Sequence, residues 1–109
     1  MTPPRFFRVR GDVQGVMFRQ TFIRAAHSRG LEAGATNLPS GEVAFTLIGD
    51  VATVDELVSR LTQVRPLNSW GALVAELVEE EAGTPIDQHQ VTTANVDRTR
   101  WQGGVDMYL

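Results

Sequence analysis

Residues 31–48 read "LEAGATNLPSGEVAFTLI", and the fold turns on how the first seven of them are read. The second half is plain: residues 42–48 alternate, with Val43, Phe45 and Leu47 on one face of a strand. Before it, "LPSG" at 38–41 is a turn, with Pro39 supplying a fixed φ and Gly41 tolerating a positive one. Residues 31–37 are poor in strand formers, but a turn of this kind joins two arms. The stretch is therefore expected to be a hairpin with its first strand at 31–37.

Working outward, residues 18–29 predict a helix, with Phe18, Phe22, Ala25 and Ala26 spaced by three and four and Gly30 where helices commonly end. Residues 5–10, "RFFRVR", suit a strand with Phe7 and Val9 on one face. After the hairpin, Thr53 and Glu56 form a capping-box pattern. Val54, Leu57, Val58, Leu61 and Val64 make the following helix amphipathic, and Pro66 closes it. Residues 72–80, "ALVAELVEE", suit a strand with Leu73, Ala75 and Leu77 together, although they are also good helix formers; a third helix would leave the sheet short of a partner. Residues 82–103 read as a long irregular tail, and "VDMYL" at 105–109 as a last strand on the sheet edge. The order is βαββαβ: a ferredoxin-like α+β sandwich with an antiparallel sheet of four to five strands and two helices on one face. The 109 residues are expected to form one domain, 1–109.

Composition narrows the chemistry. Hydrophobic content of 42% against 21% charged residues fits a packed core rather than disorder. The lack of cysteine excludes disulfides, thiolate catalysis and cysteine-based metal sites. All ten basic residues are arginine, so Schiff-base chemistry and a Walker-type phosphate loop, which both need a lysine, are excluded as well. A net charge of −3 argues against bulk attraction to nucleic acid or anionic lipid. The N-terminal stretch lacks the apolar core of a signal peptide and no apolar run approaches a membrane span, so a cytoplasmic location is expected.

Residues 11–19, "GDVQGVMFR", lie between the first strand and the first helix. The opening N–H groups of a helix have no partner within it, and the aligned peptide dipoles attract anions there. Gly11 and Gly15 let the backbone curl so that successive N–H groups face inward. Arg19 adds a planar guanidinium fork suited to phosphate. The bland alternative is that the glycines merely turn the chain and Arg19 is a solvated helix residue. Neither GxGxxG nor GK[ST] is present, so the spacing alone leaves both readings open.

The stretch "VRGDVQGVMFR" at 9–19 resembles the signature of the acylphosphatase family, with Gly11, Val13, Gln14, Gly15, Val16, Phe18 and Arg19 in place. A second stretch, "GLEAGATNLPSGEVAFTLIG" at 30–49, is similar to that family's second motif through Gly30, Leu31, Asn37, Leu38, Pro39, Gly41, Val43 and Gly49. The resemblance covers about residues 5–80, and its fold is the βαββαβ pattern. It implies hydrolysis of a carboxyl–phosphate anhydride to a carboxylate and inorganic phosphate. Arg19 and the loop amides of Asp12, Val13, Gln14, Gly15, Val16, Met17 and Phe18 would hold the phosphoryl group. Asn37 would position the attacking water. No metal or cofactor is implied. The partners would be a small acyl phosphate and its phosphate product, with no nucleic acid, no membrane and a monomeric state. Family members usually carry glycine and then an aromatic residue where Ala33 and Gly34 stand, and often a basic residue at Thr36. Gly34 removes packing surface from a strand beside Asn37. Loss of catalysis with retained anion binding, in a non-catalytic phosphate-binding module of the same fold, is the alternative.

The remaining candidates carry bland expectations. His27 and His89 are expected to be structural or solvated. Arg5, Arg8 and Arg10 are expected to solvate the open sheet face and pair with Glu76 or Glu80. Glu79, Glu80 and Glu81 read as a solvated strand end, and Trp70 and Trp101 as packing residues at the sheet edges.

Overall fold

A computed structural model describes residues 2–97 and 104–109. Its elements are β1 (Arg5–Asp12), α1 (Phe18–Ser28), β2 (Glu32–Asn37), β3 (Val43–Ile48), α2 (Val51–Gln63), β4 (Leu73–Glu80) and β5 (Val91–Thr92), with a 3-10 turn at Ile86–Gln88. The strands form one sheet in the order β4-β1-β3-β2-β5, and every neighbouring pair is antiparallel. The hairpin at 31–48 is present, with Ala35 opposite Phe45. The weak strand formers of β2 are explained by burial: Ala33 and Ala35 lie under α1, where a larger side chain would hold the helix away.

Alternation sends Phe7, Val9, Val43, Phe45 and Leu47 to one face, where they meet both helices in a single core. Phe45 anchors it, its ring 4.9 Å from Phe7 and 4.3 Å from Phe22. Val54, Leu57 and Leu61 are the buried stripe of α2. Burying each such side chain contributes about 1.5–3 kcal/mol, so this face carries most of the fold's stability.

Several local expectations are corrected. The cap of α2 is Asp50, whose carboxylate accepts from the N–H of Thr53 at 3.0 Å; Thr53 donates its own hydroxyl to the same oxygen, and Glu56 pairs with Arg29 instead. On β4 the inward residues are Val74 and Leu77, because a bulge opposite Arg10 and Gly11 leaves Ala75 unpaired and shifts the alternation. Residues 105–109 are no strand of the sheet. They run beside the loop after α2, with Ser69 N–H on the carbonyl of Asp106 and Tyr108 N–H on that of Leu67. Trp70 is exposed rather than packed at a sheet edge, while Trp101 lies outside the described residues. Arg10 and Arg8 pair on the open face as expected, Arg10 with Glu76 and Arg8 with Glu80 and also Glu42; Arg5 instead shares the helix-covered side with Phe7 and pairs with Glu79 and with Asp55 of α2.

The segment expected to be an irregular tail, where it is described, crosses the sheet and contributes β5. β4 and β5 occupy opposite edges, and residues 81–90 join them over the outer face. They follow one cross-strand row, in which Phe6 stands opposite Thr46 and Thr46 opposite Gly34. Gly83 lies against the ring of Phe6, where a Cβ would come within 2.7 Å. Thr46 donates its hydroxyl to the carbonyl of Thr84 at 2.6 Å. His89 drops into the space that Gly34 leaves: a Cβ on Gly34 would sit 2.8 Å from the Cβ and Cδ2 of His89. The missing packing surface at Gly34 is thus filled by another part of the chain.

Hydrogen bonds determine the tautomer of His89. The Thr46 hydroxyl is committed to Thr84, so Nε2 of His89, 2.8 Å from that oxygen, donates to it. Nδ1 is then the acceptor for the Thr36 hydroxyl at 2.9 Å, whose oxygen in turn accepts the N–H of Gln90 at 3.0 Å. Burial pushes the imidazole below its ordinary value, against a smaller opposite pull from Thr84. An unfolded chain protonates this residue near pH 6.5 while the folded chain resists, so its contribution is complete above that pH and is lost as pH falls below it. The stability difference between wild type and His89→Asn, from urea unfolding, is therefore expected to shrink from pH 7.5 to pH 5.0. Gly34→Val is expected to cost about 1–3 kcal/mol in the same measurement, by forcing His89 out of its notch.

Candidate active site

Phe18 to Ser28 form α1, and Met17 precedes them in a left-handed conformation with φ 58° and ψ 29°. Gly15 is left-handed as well, at φ 76°. Left-handed residues within a turn are the backbone form that brings consecutive N–H groups to one side. Met17 adopts it at a cost of about 1 kcal/mol that a glycine would avoid. Among the described residues, the N–H groups of 14–17 donate to no protein acceptor, and the first amide bond of α1 runs from Thr21 to the carbonyl of Met17.

Two side chains hold this loop in place. Gln14 points away from the helix start and gives both amide protons to the hairpin turn, to the carbonyls of Leu38 and Glu42 at 2.8 Å each. It thereby links the two motif stretches. Asn68, from the loop after α2, is fully buried and supports the other side. Its Nδ2 donates to the carbonyl of Val16 at 2.8 Å and to the hydroxyl of Thr21 at 2.9 Å. Its Oδ1 accepts the N–H groups of Trp70 and Ala72. Nothing in the sequence around Asn68 singles it out; only its surroundings after folding show that every hydrogen-bonding position of the amide is used.

Val13, Gly15, Met17, Phe18, Arg19 and Asn37 line one cavity of about 320 Å³, with Gln20, Trp70 and Val91 completing the wall. That volume is within the range of small-molecule sites. Asp12 is exposed and is not among the lining residues, and Gln14 and Val16 are engaged below the loop as described. Arg19 is half-buried, and burial lowers its affinity for the proton without threatening its charge. Among the described residues no carboxylate pairs with it; its Nη1 donates to the amide oxygen of Gln90 at 2.7 Å. Asn37, at the end of β2, faces the same space. Its Oδ1 is buried and has no hydrogen-bond partner among the described residues. A buried acceptor without a donor and a cation without an anion are each unfavourable, and a hydrated anion in this cavity would satisfy both.

The sequence profile of the acylphosphatase family matches residues 5–98. The chain belongs to the acylphosphatase family. The match runs past residue 80, where the motif resemblance ends, and takes in the crossing segment with His89 and Gln90. Among similar proteins, the acylphosphatase of Paraburkholderia xenovorans is 39% identical over 79 residues, which are 72% of this chain and 77% of that protein. That of Burkholderia lata is 37% identical over 79 residues, 72% of this chain and 76% of that one. The structure of an acylphosphatase from Coxiella burnetii superposes with a TM-score of 0.62 at 27% identity, covering 75% of this chain and 82% of that one. The acylphosphatase from Bacillus subtilis has the same fold, with a TM-score of 0.62 at 23% identity over 79% of this chain and 91% of that one.

Asn68→Ala is expected to destabilise the protein by about 2–4 kcal/mol, since it strands the Val16 carbonyl, the Thr21 hydroxyl and two backbone N–H groups. Urea unfolding measures this, and an effect below about 1 kcal/mol would show that the loop does not lean on Asn68.

Proposed function

We propose that this acylphosphatase-family protein hydrolyses acyl phosphates with Arg19, Asn37 and the loop amides as its working groups. The observation that carries the assignment of roles is that Arg19, which no carboxylate pairs among the described residues, faces the same cavity as the Oδ1 of Asn37, which has no hydrogen-bond partner among them. In this reading the N–H groups of residues 12–18 and the fork of Arg19 surround the phosphoryl oxygens. Charge spreads over those oxygens as the phosphoryl group passes through a loose transition state, and fixed donors that are already oriented favour it over the ground state. Asn37 Oδ1 accepts a hydrogen bond from the attacking water and holds its oxygen in line with phosphorus, while both water protons end on the phosphate product.

The reaction balances as an acyl phosphate plus water giving a carboxylate and dihydrogen phosphate. The bond from water oxygen to phosphorus forms as the bond from phosphorus to the acyl oxygen breaks, and the bonding electrons of the broken bond leave on the carboxylate. A carboxylate is a good leaving group, so no acid needs to protonate it. The proposed chemistry uses no cofactor or metal ion. We place both halves of the site in one domain, 1–109, acting as a monomer. The large apolar residues exposed among those described, Val51, Trp70, Val78 and Tyr108, come from four separate segments, which fits that state. A cytoplasmic location is part of the same proposal, because a multiply charged acyl phosphate does not cross a bilayer unaided and is hydrolysed where it is made.

Purified protein is expected to hydrolyse benzoyl phosphate, with inorganic phosphate as a competitive inhibitor. Arg19→Ala should lower kcat/KM by roughly 10³-fold or more and abolish inhibition by phosphate. Asn37→Ala should lower kcat by roughly 10² while leaving phosphate inhibition within a few-fold of wild type. Turnover in Arg19→Ala at the wild-type rate, or the absence of turnover in the wild type, would falsify this assignment.

A further inference from the structure

Gln90 lies outside both motif stretches, and the crossing segment delivers it to the rim of the cavity. Its Oε1 accepts two hydrogen bonds, from Nη1 of Arg19 at 2.7 Å and from the backbone N–H of Asn37 at 2.9 Å. One oxygen therefore joins the first turn of α1 to the end of β2, the two elements that carry the groups assigned above. The backbone of Gln90 is held at both ends of its peptide unit. Its N–H donates to the Thr36 hydroxyl at 3.0 Å, and its carbonyl accepts from Nδ2 of Asn95 at 3.4 Å. Thr36 is in turn bonded to His89 in the Gly34 notch.

We propose that Gln90 is a positioning residue for the reaction: its side-chain oxygen fixes the Arg19 guanidinium relative to Asn37. The inference rests on the acylphosphatase reading above. A neutral acceptor suits this task. It takes one of the five N–H donors of the guanidinium and leaves the others, with the full charge, for the phosphoryl group. A carboxylate at the same place would orient Arg19 equally well but would neutralise it. Holding the guanidinium at a fixed position relative to Asn37 bears on the in-line geometry that the transition state requires rather than on holding a phosphate, so the benefit belongs to kcat more than to binding. The three positions that depart from the usual family pattern serve this arrangement. Ala33 exchanges hydrogen bonds with Thr93, Gly34 admits His89, and Thr36 accepts the N–H of Gln90.

The test uses full-length Gln90→Met, which keeps the length of the side chain without its acceptor, and Gln90→Glu, which keeps an acceptor and adds charge. The measurements are kcat and KM for benzoyl phosphate, Ki for inorganic phosphate, and Tm. Gln90→Met is expected to lose roughly tenfold in kcat, with Ki changed less than about threefold and Tm nearly unchanged, since the side chain is exposed. Gln90→Glu is expected to recover most of that kcat at saturation while Ki rises roughly tenfold. An unchanged kcat in Gln90→Met overturns the inference. So does a raised kcat with a lowered KM, which would mean that the side chain obstructs the site, or an equal loss of kcat in both variants. A wild type without turnover is a different failure and removes the reaction itself.

Discussion

β4 and β5 follow one another in the chain but occupy opposite edges of the sheet. That separation is four interstrand spacings, roughly 19 Å. Residues 81–90 span it easily when extended, since each residue can cover about 3.3 Å. The inner face is closed to them by two helices, so they cross the outer one. A crossing backbone needs a track on which its polar groups are satisfied and its side chains fit. The row Phe6–Thr46–Gly34 supplies one, with a ring for Gly83 to lie on, a hydroxyl for Thr84 and a bare backbone for His89. The placement of β5, of Gln90 and of the edge beside Asn37 follows from that fit.

The same constraint divides labour within the molecule. The inner face, with Phe45 between Phe7 and Phe22, holds the fold together through burial. The outer face contributes little through its surface ion pairs, which are screened and worth well under 1 kcal/mol apiece. On the helix side, at the margin of the inner face, Glu79 and Asp55 of α2 raise the affinity of Arg5 for its proton, and Arg5 draws the Glu79 carboxyl below its usual range. The uncrowded outer face is free to carry the crossing segment, and through it Gln90, remote in sequence from the glycine loop, comes to accept hydrogen bonds from Arg19 and from the backbone of Asn37.

The loop itself is held from two directions. Gln14 ties it to the hairpin turn, and Asn68 ties it to the loop beyond α2. These are bonds to backbone carbonyls, so they leave the loop's N–H groups unspent. The cation and the amide oxygen that face the cavity are likewise spared: Arg19 meets a neutral acceptor, and the side-chain oxygen of Asn37 meets none among the described residues. Structural groups are satisfied and the groups assigned to the substrate are not, which is the arrangement expected of a preorganised anion site.

Local patterns in the sequence were enough for β1, β3 and the two helices, because alternation, helical spacing and turn residues act within a few positions of themselves; β4 needed the argument that the sheet lacked a partner, and β5 was not read from the sequence. They were enough for β2 only through the turn at 38–41, since its small residues answer to α1 above them. Arg19 and Asn37 could be proposed from the sequence because each stands in a motif stretch, and the polarity of a helix start is a local property. Tertiary structure alone decided the rest. The bulge that turns Val74 inward, the staple made by Asn68, the lock of His89 into Gly34 and the delivery of Gln90 each join residues tens of positions apart. No periodicity or propensity encodes such pairings, because each depends on a shape that exists only once the sheet has formed. Gly34 illustrates the difference: as a letter in a strand it is a defect, and in the folded chain it is the space that seats His89 beside Gln90.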